Sequence, residues 1–216
     1  LYHDVGKTVN PAYFIENQIS GTPNPHDNLD PEISAEIIIR HVTDGLELAR
    51  NYRLPRRIQD FIAEHHGTMI TRYQYVKAVE AAGGDESKVD KSNFRYPGPQ
   101  PRSRETAILM LADGCEARLR AERPDSREAL RIVIKEVVEN RLSGEQLDKT
   151  DLTLRDLDDI VESFTTTFRG IYHPRIEYPK LKQLEQSEQP SVDPTPTQPI
   201  LHQTIPDVPA DPQTDA

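Results

Sequence analysis

The chain begins LYHDVGK (residues 1–7), and the adjacent His3 and Asp4 in this stretch raise the question of what they bind. Neighbouring residues of a helix point about 100° apart, so these two side chains converge only on something that lies between them. A metal ion is the obvious candidate, because imidazole nitrogen and carboxylate oxygen are both metal ligands. An isolated His-Asp pair is more often an ordinary surface dipeptide, so the interpretation depends on what the rest of the chain supplies.

The segments that follow have the periodicity and the end signals of helices. Asp30-Pro31 is an N-cap followed by a first-turn proline, and Ile33, Ile37 and His41 then recur on one helix face. Comparable signals predict four further helix starts, at Leu54-Pro55, at Ser103, at an Asp125–Glu128 capping box and at Thr153. Alternating strand patterns are absent, so the sequence predicts an all-α fold.

Length and composition limit the class of protein. The 216 residues allow one domain and a tail, and 35% hydrophobic with 29% charged residues is a balance typical of water-soluble domains. The apolar runs are too short to span a bilayer, and the start does not resemble a signal peptide. The single cysteine, Cys115, cannot form an internal disulfide, which favours a reducing cytosol. Because there is no initiator Met, we expect the sequence to be a fragment of a longer protein.

The C-terminal part has a different composition from the rest. From residue 183 onward the chain is rich in Pro, Gln, Thr and Asp, and it buries too little apolar surface to offset its ordering entropy. The sequence therefore predicts a domain over 1–182 and a disordered tail over 183–216. Six acidic residues and no Lys or Arg lie in this tail, whereas the whole chain has a net charge of −10. The small excess left on the domain argues against binding a nucleic-acid polymer.

Several polar residues lie at positions where apolar ones are expected. His41 and His66 continue apolar helix stripes, and Asp113 lies within the mostly apolar AILMLADGCEA. One histidine on an apolar face is more often a satisfied core residue than a ligand, but an unpaired buried carboxylate costs several kcal/mol. Bound metal would explain six such groups together: His3, Asp4, His41, His65, His66 and Asp113.

The types of ligand indicate the chemistry. Histidine with aspartate, and no set of thiolates, favours Fe, Mn, Co, Ni or Zn over a structural cysteine-bound zinc. Asp4 has two carboxylate oxygens and can bridge two ions, and a hydroxide held between two ions is a strong nucleophile near neutral pH. Lys7 could add a donor to a phosphate at the same place, although an ordinary solvated lysine is an equally good interpretation.

This pattern of residues resembles the HD phosphohydrolase superfamily, and more closely the cytosolic HD domain of the seven-transmembrane HD family. That family includes the PgpH-type cyclic di-AMP phosphodiesterases of bacteria. The resemblance covers residues 1–182. Besides the HD pair, it rests on these motifs in order: FIENQ (14–18), NPHD (24–27), HVTDG (41–45), HHGT (65–68), FRYPGP (94–99), LADGCEA (111–117), DLTLRDL (151–157) and RIEYP (175–179).

The resemblance implies an HD-type helical bundle that holds two divalent ions, Fe or Mn. It makes His3, Asp4 and Asp113 ligands of one ion, and Asp4, His41, His65 and His66 ligands of the other. The family has a further His ligand upstream of the HD pair, and this chain starts too late to include it. Asp4 and Lys7 are expected to be catalytic.

The implied reaction is hydrolysis of cyclic di-AMP to linear pApA by a metal-activated hydroxide. The resemblance further implies a cytoplasmic domain whose parent protein is anchored in a bacterial membrane by upstream transmembrane helices, and it allows a homodimer. Three loop residues are candidates for substrate contacts. His26 and Arg95 could hold phosphate, and Tyr96 could stack on an adenine. Alternatively, His26 is a loop histidine that only bonds backbone, and Arg95 and Tyr96 only pack the 83–101 loop against the domain.

Two other functions stay open. One is a phosphodiesterase of another cyclic or linear nucleotide, although HHGTMITRY (65–73) lacks the Gly-Tyr-Pro that typically follows the histidine pair in the cyclic di-GMP branch. The other is a non-catalytic, nucleotide-sensing HD domain, which would be marked by missing ligands. Every ligand that this stretch could contain is present, so an enzyme is favoured.

Overall fold

The computed structural model describes residues 1–19 and 21–172, which form α-helices and 3-10 turns as predicted for an all-α protein. The only pairing of extended chain in this part is an isolated bridge between Ile70 and Arg95. The helices are α1 (Pro31–Asn51), α2 (Arg56–Glu64), α3 (Arg72–Ala81), α4 (Arg104–Glu122), α5 (Arg127–Ser143) and α6 (Leu154–Tyr172). The predicted disorder of 183–216, and the domain boundary at 182, lie outside the described residues.

Side-chain caps define most of the helix starts that the sequence predicts. Asp30 accepts a hydrogen bond from the backbone of α1, and Ser103 does the same for α4. The Asp125–Glu128 capping box is wrong by one residue. Ser126 is the N-cap of α5, and its hydroxyl accepts from the backbone N–H of Ala129 at 3.1 Å.

The main core lies between α4, α5 and α6. Its buried residues are Ala107, Leu111, Cys115, Leu119, Leu130, Val133, Ile134, Val137, Val138, Leu147, Leu157, Ile160, Val161 and Phe168. Burying such side chains contributes about 1.5–3 kcal/mol for each large one, so this cluster anchors α4 firmly. The apolar face of α6 is mostly buried, but Leu154 at its first position is 72% exposed.

A second set of contacts places the N-terminal stretch. The 3-10 turn Val5–Thr8 lies directly on α1, with the buried Gly6 against the backbone of His41 and Gly45. Helix α1 also packs on α2 and α3, and α2 packs on α4. These contacts bring residues 1–8, the middle of α1, the end of α2 and the middle of α4 to one place. None of the helices over 1–19 and 21–172 is long and apolar enough to cross a membrane.

Candidate metal centre

The structure brings the six predicted ligands together from four separate segments. Asp4 directly precedes the 3-10 turn Val5–Thr8, which packs against α1. His41 projects from the middle of α1. His65 directly follows the last residue of α2, and Asp113 lies midway along α4. Their ligand atoms form two groups, in each of which all the atoms lie within 4.8 Å of one another. The groups are Asp4, His41, His65 and His66, and His3, Asp4 and Asp113.

Asp4 belongs to both groups, and its two carboxylate oxygens face different partners. Oδ1 is 3.3 Å from Nε2 of His41 and 3.4 Å from Nε2 of His65. Oδ2 is 3.2 Å from Nε2 of His3, which in turn is 3.7 Å from Oδ1 of Asp113. One carboxylate therefore links a deeply buried histidine cluster to a more accessible group near α4.

Backbone carbonyls orient the two most buried imidazoles. Nδ1 of His41 lies 2.5 Å from the carbonyl of Ile38, and Nδ1 of His65 lies 2.8 Å from the carbonyl of Ile62. A carbonyl only accepts, so each Nδ1 donates, and in a neutral ring Nε2 then carries the lone pair. The two Nε2 atoms are 3.2 Å apart. Two lone pairs at that distance repel each other unless a cation or a proton lies between them.

The charges of the centre depend on one another. Burial opposes ionisation of Asp4, but the adjacent imidazoles of His3, His41 and His65 and the nearby charge of Lys7 hold the pKa of Asp4 well below its usual range. Burial also disfavours charge on His3, yet the carboxylates of Asp113 and Asp4 raise its pKa to about 9. Burial, followed by the neighbouring His65 and His41, lowers the pKa of His66 well below its usual value.

Lys7 lies beside the shared carboxylate. Its ammonium is 2.8 Å from Oδ2 of Asp4 and 2.5 Å from Oε1 of Glu16, and it lies 5.4 Å from the ring centre of the buried Phe14. Burial alone would lower the pKa of Lys7, but the two carboxylates raise it. The lysine is therefore a fixed positive charge beside the shared carboxylate.

The donor set fits divalent transition metals. Neutral imidazole and carboxylate are ligands for such ions, and each group offers three or four of them. Among the described residues, both ring nitrogens of His3 and Oδ1 of Asp4 are buried without a hydrogen-bond partner. Buried polar atoms normally have a hydrogen-bond partner. These three atoms have none, so they are good candidates to bind a metal ion directly. The residues present could hold metal.

Two of the three predicted substrate contacts, His26 and Arg95, make hydrogen bonds within the protein. Nδ1 of His26 is 2.7 Å from Oγ of Ser34, and its Nε2 is 2.8 Å from the carbonyl of Tyr13. Both ring nitrogens are thus used, and His26 ties its loop to α1. Arg95 is exposed, and one of its Nη atoms donates to the carbonyl of Thr68 at 2.6 Å, just beyond the histidine pair.

Tyr96 lies next to the metal ligands, but its packing does not suit the predicted stacking on an adenine. The Tyr96 ring stacks on the imidazole of His66, with 4.3 Å between ring centres and 20° between planes, and the residue is only 7% exposed. The edge of His41 meets it at 6.2 Å between ring centres. Tyr96 therefore forms an aromatic wall behind His66.

The sequence interpretation missed two acidic residues near the centre. Glu16, within FIENQ, holds the ammonium of Lys7. Glu64 is 2% exposed and accepts hydrogen bonds from Arg102 and Thr106. The only local signal for Glu64 is its position directly before the histidine pair. Its partners lie some forty residues further along the chain, so no helical spacing could reveal them.

Comparison with known proteins agrees with this geometry. A sequence model of the HD domain family matches residues 1–118. The chain is 42% identical over 179 residues to the cyclic-di-AMP phosphodiesterase PgpH of Bacillus subtilis (strain 168), and 38% identical over 179 residues to PgpH of Listeria monocytogenes. These matches cover 83% of this chain but 24% of each relative. The chain thus spans about a quarter of the length of these relatives.

Other matches support the same relationship. The uncharacterized protein slr0104 of Synechocystis is 44% identical over 182 residues, covering 83% of this chain and 22% of that protein. A crystal structure of the L. monocytogenes PgpH HD domain has a TM-score of 0.72 at 36% identity, and covers 80% of this chain and 78% of that one. The same domain in complex with cyclic-di-AMP has a TM-score of 0.73 at 37% identity, with 82% and 79% covered.

Proposed function

This chain belongs to the HD domain family, and from that premise we propose that it is a dinuclear metal-dependent phosphodiesterase that hydrolyses cyclic di-AMP to linear pApA. The observation that carries the proposal is the position of Asp4, whose two oxygens face two different ligand groups. The names of the two PgpH relatives, and the related HD domain solved with cyclic-di-AMP, support the choice of substrate.

We assign His3, Asp4 and Asp113 to one ion, and Asp4 with the histidine cluster to the other. Iron and manganese are the metals we favour, since both accept mixed imidazole and carboxylate ligands. When bound, such a pair of ions supplies a nucleophile from water near neutral pH and neutralises phosphate oxygens. The lowered pKa of Asp4 favours the ionised carboxylate that a metal ligand requires.

Protein groups around the ions would assist the hydrolysis itself. Water adds to one phosphorus of the ring, the bond from that phosphorus to the 3′ oxygen breaks, and the 3′ oxygen leaves as a hydroxyl after taking up a proton. Lys7, held by Asp4 and Glu16, would donate a hydrogen bond to an oxygen of the reacting phosphate, where negative charge grows in the transition state. Arg95, exposed beside the histidine pair, would contact the second phosphate.

A metal and substrate assay tests this proposal. The chain, loaded with Mn²⁺ or Fe²⁺, should convert cyclic di-AMP to pApA, measured by chromatography, and Asp4→Asn should abolish turnover. Asp148→Asn is the matched control, because Asp148 is exposed and lies on the loop that follows α5. Turnover by Asp4→Asn at the rate of the wild type would refute the assignment of Asp4, and absence of turnover by the metal-loaded wild type would refute the proposed activity.

A second candidate is a phosphodiesterase of another cyclic or linear nucleotide. The observation in its favour is that Tyr96, the aromatic residue expected to recognise adenine, is covered by His66. Metal ions recognise phosphate whatever base is attached, so base selection needs other groups. A panel of cyclic and linear dinucleotides distinguishes the two candidates by comparing kcat/KM for each substrate.

We also propose that the domain works at the cytoplasmic side of a membrane, joined to upstream transmembrane helices of its parent protein. The resemblance to the seven-transmembrane HD family, and the quarter of each PgpH relative that the chain covers, support this arrangement. Fractionation of cells that express the full-length parent protein, with protease protection of the HD domain, would test it. Sedimentation of the metal-loaded domain would show whether it forms a homodimer.

A further inference from the structure

Glu64, the last residue of α2, is a buried carboxylate near the metal centre. Its carboxylate is 2% exposed, accepts three hydrogen bonds and forms an ion pair with Arg102. Oε2 accepts from the backbone N–H of Arg102 at 2.9 Å and from the hydroxyl of Thr106 at 2.7 Å. Oε1 accepts from Nε of Arg102 at 2.8 Å, and Nη2 of the same guanidinium lies 2.8 Å from this oxygen as an ion pair. Both oxygens of Glu64 therefore have hydrogen-bond donors, and the guanidinium of Arg102 balances the buried charge.

These bonds join the two segments that carry the separate ligand groups. Glu64 is adjacent in sequence to His65, which belongs to the buried group with Asp4. Thr106 lies in the first turn of α4, seven residues before Asp113. Seven residues are close to two helical turns, so Thr106 and Asp113 lie on the same face of α4. The Arg102 backbone bond fixes the chain just before α4 begins.

We propose that Glu64 is a positioning residue that sets the separation of the two metal-ligand groups. The proposal rests on the proposed dinuclear function, and it adds a residue that touches neither ion nor substrate. Metal affinity requires ligand distances within about 0.2 Å of their ideal values. Hydrogen bonds between the end of α2 and the start of α4, close to the ligands, can fix those distances. The buried carboxylate achieves this with bonds to one backbone and two side-chain groups.

Glu64→Gln is the sharpest perturbation, because it keeps the size of the side chain. The amide retains one acceptor oxygen, whereas its NH₂ group faces the guanidinium of Arg102, which has only donors. We expect metal affinity at one of the two sites to fall about 10- to 100-fold, the effect typical of removing a partner that orients metal ligands. We expect kcat to fall with it, while KM changes little, because the substrate contacts stay in place.

Glu105→Gln is the matched control. Arg57 and Glu105 form another ion pair between α2 and α4, with 2.7 Å from Nη2 to Oε2, but both side chains are largely exposed. Breaking this pair removes the same kinds of group between the same two helices. Because solvent replaces the lost partner there, we expect unchanged metal affinity and turnover.

Manganese titration with electron paramagnetic resonance provides a readout that a merely structural role would not change. Two Mn²⁺ ions that share Asp4 should give an exchange-coupled spectrum in the wild type, weakened in Glu64→Gln even where both sites are filled. Arg102→Gln, at a side chain 57% exposed, should fold and change the spectrum and the affinity in the same direction. If both variants bind manganese as the wild type does, with the same spectrum and kcat, the positioning role is refuted. A wild type that binds no pair of ions would instead refute the dinuclear function itself.

Discussion

Gly6→Ala adds a single methyl group and should damage the metal centre severely. Gly6 lies two residues after Asp4, in the turn that rests on α1. A Cβ built at Gly6 would be 1.8 Å from the carbonyl oxygen of His41 and 2.5 Å from the backbone nitrogen of Gly45. Ordinary contacts begin at 3.4 Å, so the turn and α1 would have to separate by roughly 1.6 Å. All these neighbours are backbone atoms, which cannot rotate away.

The size of this displacement predicts the functional loss. Asp4 and His41 lie on the two segments that are forced apart, and their Oδ1 and Nε2 atoms are 3.3 Å apart. Metal coordination tolerates shifts of only about 0.2 Å, and a misplacement of about 1 Å can cost 100-fold in rate. We therefore expect turnover of Gly6→Ala to fall at least about 100-fold with weaker metal binding. Overpacking should also lower the free energy of unfolding by about 1–3 kcal/mol.

Turnover, metal per chain and thermal unfolding should be measured together. Gly170→Ala is the matched control, because a Cβ at Gly170 in α6 meets nothing within 4 Å. Alanine is the better helix former, so the control should be neutral or slightly stabilising. A Gly6→Ala protein that retains two metals and the turnover of the wild type would refute the inference that this close approach positions Asp4.

Three further outcomes follow from contacts at and away from the centre. Lys7→Gln should lower kcat about 10- to 100-fold with metal content unchanged, measured by turnover beside elemental analysis, because it removes the fixed charge next to Asp4. Tyr96→Ala should reduce turnover of cyclic di-AMP and of a generic activated phosphodiester alike, since Tyr96 supports His66. Hydrogen bonds from Thr153, together with Arg104, lower the pKa of Asp156 from 3.8 to about 2, so their stabilisation is present above pH 3.8 and lost as the pH falls through 2. Melting curves of Asp156→Asn should accordingly differ from wild type at pH 6 and converge with it near pH 2.

Some of the candidate ligands were predictable from sequence because they are anomalous in their own segments. His41 interrupts an apolar stripe on α1, and Asp113 is a carboxylate within an apolar run on α4. Burial of such polar groups is costly, so their presence indicates a common cation even before a fold is known. The helix starts were predictable for a similar reason, since caps such as Asp30 and Ser103 act within a few residues of themselves.

The environment of the ligands could not be predicted in the same way. From the sequence, Tyr96 is equally well interpreted as a base-stacking residue or a packed one, and only its contact with His66 in the fold favours packing. The bonds from Glu64 to Arg102 join residues 38 positions apart, and no helical or strand period extends that far. Likewise, Lys7 is held by Glu16 across an irregular chain of 3-10 turns. Contacts of this kind depend on tertiary packing, which local spacing does not encode.

The most direct test of the centre is to locate its metals. Crystals of the chain loaded with Mn²⁺ should show two anomalous scattering peaks, one on each side of the Asp4 carboxylate. One peak should lie among His41, His65 and His66, and the other between His3 and Asp113. A single peak, or two peaks that do not share Asp4 as a ligand, would contradict the dinuclear assignment.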